Sequence, residues 1–165
     1  MTRIRALAED DGPELYDVEE QNRAYFAGSV PDRGDGFFAH FDVRLEQLLV
    51  EQKTGTALFF VIRDDEDRLV GRVNLIDIGD GVAHLGYRVA EAATGRGHAR
   101  AAVGLVLDEA RMAGVERVRA MTTVNNVASR RVLEACGFAR TSGAPAMVEG
   151  HGGRMQEAVH YERRL

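Results

Sequence analysis

Residues 93 to 103 read ATGRGHARAAV, with Gly95 and Gly97 on either side of Arg96 and a run of small and apolar residues after them. Glycine lacks a Cβ, so backbone at these positions can approach an anion closely. The first turn of a helix offers unpaired N–H groups and a partial positive charge, and it accepts phosphate readily. Arg96, His98 and Arg100 add cationic side chains to the same stretch. These types at this spacing fit diphosphate binding, although a helix start without a ligand also uses glycine. Two other phosphate loops do not fit. A Walker loop needs Gly-Lys-Ser/Thr, and the chain's single lysine is the distant Lys53. A dinucleotide fingerprint needs a third glycine at the position of Arg100.

Other chemistry is narrowed by composition. Cys136 is the sole cysteine, which excludes an internal disulfide and a cysteine-based zinc site. It falls in an apolar helical pattern and reads as a buried structural thiol. No pair of histidines and acidic residues has metal-site spacing, so no metal is expected. The 165 residues are 45% hydrophobic and 28% charged with a net charge of −5, as in an ordinary soluble protein with no bulk attraction to nucleic acid or anionic membrane. The N-terminus has no apolar signal region and no stretch approaches a membrane span, so a cytoplasmic protein is expected. Residues 1–165 read as one domain.

The elements that must position the loop can be read in order. TRIRALA alternates as a short first strand. EDDGPELYDVEEQNRAYF predicts a helix with Asp10 or Asp11 as N-cap and Pro13 near its first turn. Seven acidic residues lie between Glu9 and Glu20; they are either a solvated helix face or a rim attracting cationic substrates. A second helix is expected over Phe38 to Lys53. TALFFVIR, LVGRVNLIDI and VAHLGYRVA then read as antiparallel strands joined by DDEDR and by the Asp80-Gly81 turn. From Gly97 to Ala113 the period becomes helical, with Gly114 as the stop. RVRAMTTV follows as a strand, and Asn125 or Asn126 caps a further helix ended by Gly137. Weaker strands are expected at Ala146–Glu149 and Gln156–Arg163. A strand–helix–strand unit after antiparallel strands makes an α+β domain on a mixed sheet, with its one parallel pair around the glycine loop.

The run LGYRVAEAATGRGHARAAV, followed by a strand and then NNVASRRVLEACGF, resembles the GNAT superfamily of N-acetyltransferases, in particular its RimJ/RimL-like branch of ribosomal-protein N-terminal acetyltransferases. The family's diphosphate motif, Gln/Arg-x-x-Gly-x-Gly/Ala, aligns with Thr94-Gly95-Arg96-Gly97-His98-Ala99. Thr94 departs from the usual longer polar residue. Asn126-x-x-Ser129, Leu133-Glu134 and Gly137-Phe138 carry the second half of the likeness, which extends from Leu69 to Phe138 and is looser at both ends. The resemblance implies a mostly antiparallel sheet of about 6–7 strands and about 4 helices, with one parallel pair splayed to admit coenzyme A.

It further implies acetyl transfer from acetyl-CoA to a primary amine, a peptide N-terminus or a small molecule, by direct attack in a ternary complex. Thr94 to Ala99 would bind the diphosphate, and Asn126 and Ser129 would hold the pantetheine arm. Tyr87, Arg88 and Val89 would pair with that arm through backbone, with an N–H there supporting the oxyanion; the Tyr87 ring could equally be plain core. Many relatives place a tyrosine acid where this chain has Leu133, so Ser129 becomes the candidate proton donor, its alternative being a hydroxyl in a helix's first turn. His84 precedes Gly86 by two positions, where the branch often has glutamate, and it is the candidate general base; its alternative is an exposed strand histidine. His40, His151 and His160 have no comparable context. A homodimer is implied as possible for such a chain. A non-catalytic acyl-CoA sensor on the same fold is the second functional reading.

Overall fold

The computed structural model describes residues 1–142, 146–149 and 153–165. Among these, β1 (Arg3–Ala6), β2 (Leu58–Arg63), β3 (Leu69–Gly79), β4 (Val82–Val89), β5 (Arg117–Thr123), β6 (Ala139–Arg140), β7 (Met147–Glu149) and β8 (Met155–Arg164) form the strands. The helices are α1 (Gly12–Gln21), α2 (Arg23–Ala27), α3 (Asp35–Ala39), α4 (Phe41–Thr54), α5 (His98–Met112) and α6 (Val127–Ala135). The strands build one sheet in the order β1-β2-β3-β4-β5-β8-β6, with β7 paired to β8. Every pairing is antiparallel except β4 with β5. The α+β mixed sheet read from the sequence is therefore present, with eight strands and six helices among the described residues instead of the smaller counts implied by resemblance.

The extra helices come from two breaks. At Asn22 the backbone leaves helical geometry (φ −103°, ψ 9°) and the side-chain amide donates to Val18 O, separating α2 from α1. At His40 (φ −122°, ψ 35°) the single helix expected over Phe38 to Lys53 divides into α3 and α4. The extra strand, β6, has only two residues and no hydrophobic period to announce it. His151 lies outside the described residues.

Two apolar clusters sandwich the sheet. One face packs against α5 and α6 through Val73, Leu75, Leu85, Val103, Val106, Leu107, Val118 and Leu133. The other packs against α1 and α4 through Leu15, Leu45, Leu48, Phe59 and Val61. Alternation along each strand sends successive side chains to opposite faces, so β2 and β3 feed both clusters.

The acidic stretch of the first helix is divided: Glu9, Asp10, Asp17 and Glu20 are exposed, as a solvated face has them, and the other three are held by partners. Asp11 is 1% exposed and does not cap through its side chain to the helix. It accepts from the Ala8 N–H and pairs with Arg5 and Arg63. Glu14 accepts from Leu69 N–H at 2.8 Å and from Arg63. Glu19 is 2% exposed beside Arg88. Three of the carboxylates are thus bound inward, where they clamp α1 onto the sheet.

Candidate active site

Parallel pairing between β4 and β5 begins at Val82↔Arg117 and ends at Leu85↔Ala120. Past that point β4 stays on β3 through Arg72↔Arg88 and Gly71↔Val89, while β5 stays on β8 through Thr123↔Ala158. The two strands therefore part, and Gly86 to Val89 face a gap with no strand partner on that side among the described residues. A cleft of about 740 Å³ opens there. Its walls are Leu85 to Val89 of β4, Ala120 to Thr123 of β5, the Thr94–Arg100 loop, and Asn126, Ser129, Val132 and Leu133 of the α6 region. The α2 segment and the residues after it close one end.

The loop matches its sequence reading in local geometry. Gly95 and Gly97 sit at φ +72° and +82°, a left-handed conformation that side chains other than glycine adopt at a cost. Gly97 is the N-cap of α5 and offers no side-chain cap, so the first N–H groups of the helix are left for a ligand. A Cβ placed on either glycine would meet nothing within 4 Å, which leaves open space for an anion. Gly95, Gly97, His98, Ala99 and Arg100 border the cleft; Arg96 does not. Thr94 also borders the cleft, and it turns its hydroxyl back to donate to Glu91 O at 2.7 Å, closing the preceding turn. His98 Nδ1 is bonded to the Thr2 hydroxyl at 2.9 Å, which ties the loop to the start of the chain.

At the opposite wall, Asn126 Oδ1 accepts from the Ser129 N–H at 3.1 Å and starts α6. Tyr87 hydroxyl reaches both atoms of Ser129, with Oγ at 2.9 Å and the carbonyl at 3.1 Å. If the tyrosine proton goes to the carbonyl, the serine proton is spent on the tyrosine oxygen. If it goes to Oγ, the serine proton is free to point into the cleft. The Tyr87 ring, read from the sequence as possible core, is thus also a polar partner, and no local pattern announces a pairing between residues 42 apart.

Burial pushes the Tyr87 hydroxyl up to about 12. Its folded value lies above its unfolded one, so the stability it contributes is full below pH 10 and is lost as pH rises from 10 toward 12. Denaturant titrations at several alkaline pH values should therefore show wild type losing stability relative to Tyr87→Phe across that window. A constant difference between the two proteins would show that Tyr87 ionises as freely in the fold as in the open chain.

Other candidates are placed differently. His84 is exposed, opposite Ile76 and Arg119, within the paired part of β4. It does not border the cleft, because pairing runs on through Leu85 and the gap opens at Gly86, two residues beyond it. Arg88 borders the cleft but points its guanidinium away from α5, donating to Glu19 at 3.1 Å and lying 4.7 Å over the Phe26 ring. Cys136 is 8% exposed and donates to Arg100 O, and burial pushes its thiol up. It is a structural thiol outside the cleft. Arg72 and Asn74 of β3 border the cleft without having been singled out. An arginine and an asparagine in the apolar run LVGRVNLIDI were the only sequence sign of them.

Residues 2–139 match the family described as an acetyltransferase (GNAT) domain. The chain belongs to the GNAT acetyltransferases. Solved structures similar to it include ribosomal-protein acetyltransferases of the RimJ and RimL kind. The ribosomal-protein-S5-alanine acetyltransferase from Vibrio fischeri is 25% identical with a TM-score of 0.90, covering 99% of this chain and 92% of that one. RimJ of Mycobacterium smegmatis, solved with a CoA-disulfide, is 21% identical with a TM-score of 0.86, covering 99% and 81%. RimL in complex with coenzyme A is 18% identical with a TM-score of 0.85, covering 99% and 94%. No curated protein matches in sequence. The activity of this GNAT chain is acetyl-CoA-dependent N-acetyl transfer, and the splayed strands and the glycine loop fit that co-substrate. Among the described residues no helix is long and apolar enough to cross a membrane.

Proposed function

We propose that this GNAT protein transfers acetyl from acetyl-CoA to the primary amine of a peptide N-terminus or a small molecule, by direct attack within one ternary complex. The observation that carries this reading is the shared cleft, where the glycine loop, the unpaired backbone of Gly86 to Val89 and the Tyr87–Ser129 pair meet. Gly95 to Ala99 hold the diphosphate by backbone N–H groups at the start of α5. Gly86 to Val89 supply strand-like partners to the pantetheine arm, and an N–H there stabilises the oxyanion as the amine attacks. The C–S bond then breaks, and Ser129 passes its proton to the leaving thiolate while Tyr87 donates a hydrogen bond to Ser129 Oγ; the proton released by the amine returns to the serine through water.

His84 stands off the cleft, so the ammonium proton is assigned to water at the cleft mouth. An α-amine with a pKa near 7.7–8.0 is partly neutral at ordinary pH and needs no strong base. The cytoplasm is the compartment this reading implies. No observation favours the non-catalytic sensor.

The test is thiol release with a panel of amines and peptides, including ribosomal-protein N-terminal peptides. Acceptor-dependent release above the acceptor-free rate is expected. Acetyl-CoA binding with no acceptor ever raising that rate would overturn the reading.

A further inference from the structure

On β3, Arg72 and Asn74 share the face that looks toward α1 and α4. Arg72 is 6% exposed, and its Nε has no hydrogen-bond partner among the described residues. The buried Asn74 Oδ1 is unpartnered in the same way. Both border the cleft. A buried cation or carbonyl left unpaired is costly, and at the wall of a cleft a ligand or ordered water is the partner within reach.

The surrounding charges do not neutralise Arg72. Glu19, the buried carboxylate nearby, already holds Arg88 at 3.1 Å and stands 3.9 Å from Arg33. Three guanidiniums, of Arg33, Arg72 and Arg88, thus face one buried carboxylate. Arg72 lies 5.8 Å from the Phe59 ring centroid, a weak compensation. Burial lowers its pKa to about 10, which leaves it charged at neutral pH. Glu149 also borders the cleft, but it is exposed on β7. The diphosphate does not account for the surplus, because its loop begins α5 on the opposite face of the sheet.

Register supplies the direction. Asn74 pairs with Gly86, where the gap opens and the acyl group must lie, and Arg72 pairs with Arg88 one step further along. Residues two apart on a strand are separated by about 6.6 Å. An acceptor amine beside Asn74 thus has Arg72 within a few bonds' reach.

We propose that the acceptor carries a carboxylate close to its amine, with the carboxylate held by Arg72 and Arg33 and the amine donating to Asn74 Oδ1. This inference rests on the acetyl-transfer reading for the identity of the cleft, and its test reads binding, so the two can fail separately. The carboxylate is either the α-carboxylate of a free amino acid or an acidic side chain at a peptide N-terminus.

The test is calorimetry on CoA-saturated protein with paired product analogues. One arm compares N-acetylated amino acids with their carboxamides; the other compares N-acetyl-aspartyl and N-acetyl-asparaginyl dipeptide amides. In at least one arm the carboxylate probe should bind about 30-fold tighter than its neutral partner, as a charge-assisted contact allows. Arg72→Met should abolish the preference, and Arg33→Gln, at a third-exposed position that does not threaten folding, should shrink it. Equal binding of both members in both arms overturns the proposal, as does a preference that survives Arg72→Met in a folded protein. Binding preference without turnover would overturn the acetyl-transfer reading and leave this one standing. Turnover of neutral acceptors with no preference would do the reverse.

Discussion

Replacing Ser129 with alanine is expected to lower kcat by about 100-fold, the range typical of a lost proton donor, with the acetyl-CoA Kd nearly unchanged. Ser129 Oγ has a single proton, and the 2.9 Å contact with the Tyr87 hydroxyl decides where it points. Tyr87→Phe removes the group that orients Oγ but not the proton itself, so its loss should be about tenfold. The two residues act through one proton, and the double variant should therefore be no slower than Ser129→Ala alone. Multiplying losses would show two independent roles. A kcat near wild type in Ser129→Ala would remove serine from the mechanism and leave the thiolate to depart unprotonated.

Gly97→Glu should weaken acetyl-CoA binding by more than about 100-fold, because it sets a carboxylate where the helix start accepts a diphosphate. The control is Gly97→Ala. Both changes impose a side chain on a residue at φ +82°, at a cost of about 1–2 kcal/mol. Each kcal/mol lowers the melting temperature by about 2–4 °C in a chain of this size. No neighbour lies within 4 Å of the new Cβ, so neither variant should suffer a clash beyond that strain. Similar melting temperatures, with the stabilisation by acetyl-CoA retained in alanine and lost in glutamate, are the expected pattern. Retained affinity in Gly97→Glu would show that the diphosphate binds elsewhere.

What could be read from the sequence was whatever is local. Gly95 and Gly97 advertise positive φ and a helix start within five residues, and Asn126 caps the turn that contains Ser129. The strand order around the parallel pair followed from element sequence alone. What depends on contacts across the fold was not legible. Tyr87 meets Ser129 only because β4 leaves β5 after Leu85. The same departure point leaves His84 among paired residues, two short of the gap, and no alternation rule could locate it. Arg72 becomes significant only once Glu19 is seen to be held by Arg88, on a helix far away in sequence. The carboxylates of the first helix were legible as a charge run and illegible as partners of Arg5, Arg63 and Arg88.

The separation of β4 from β5 also makes this sheet unfinished. Unpaired backbone along a strand is ordinarily covered or charged, since it can recruit other chains. On the proposed function, the molecule that covers it is acetyl-CoA. A ligand that binds only the folded state stabilises it by about 2.7 kcal/mol at a hundredfold excess over Kd. If acetyl-CoA binds there as proposed, its supply sets how much intact protein persists as well as how fast it works.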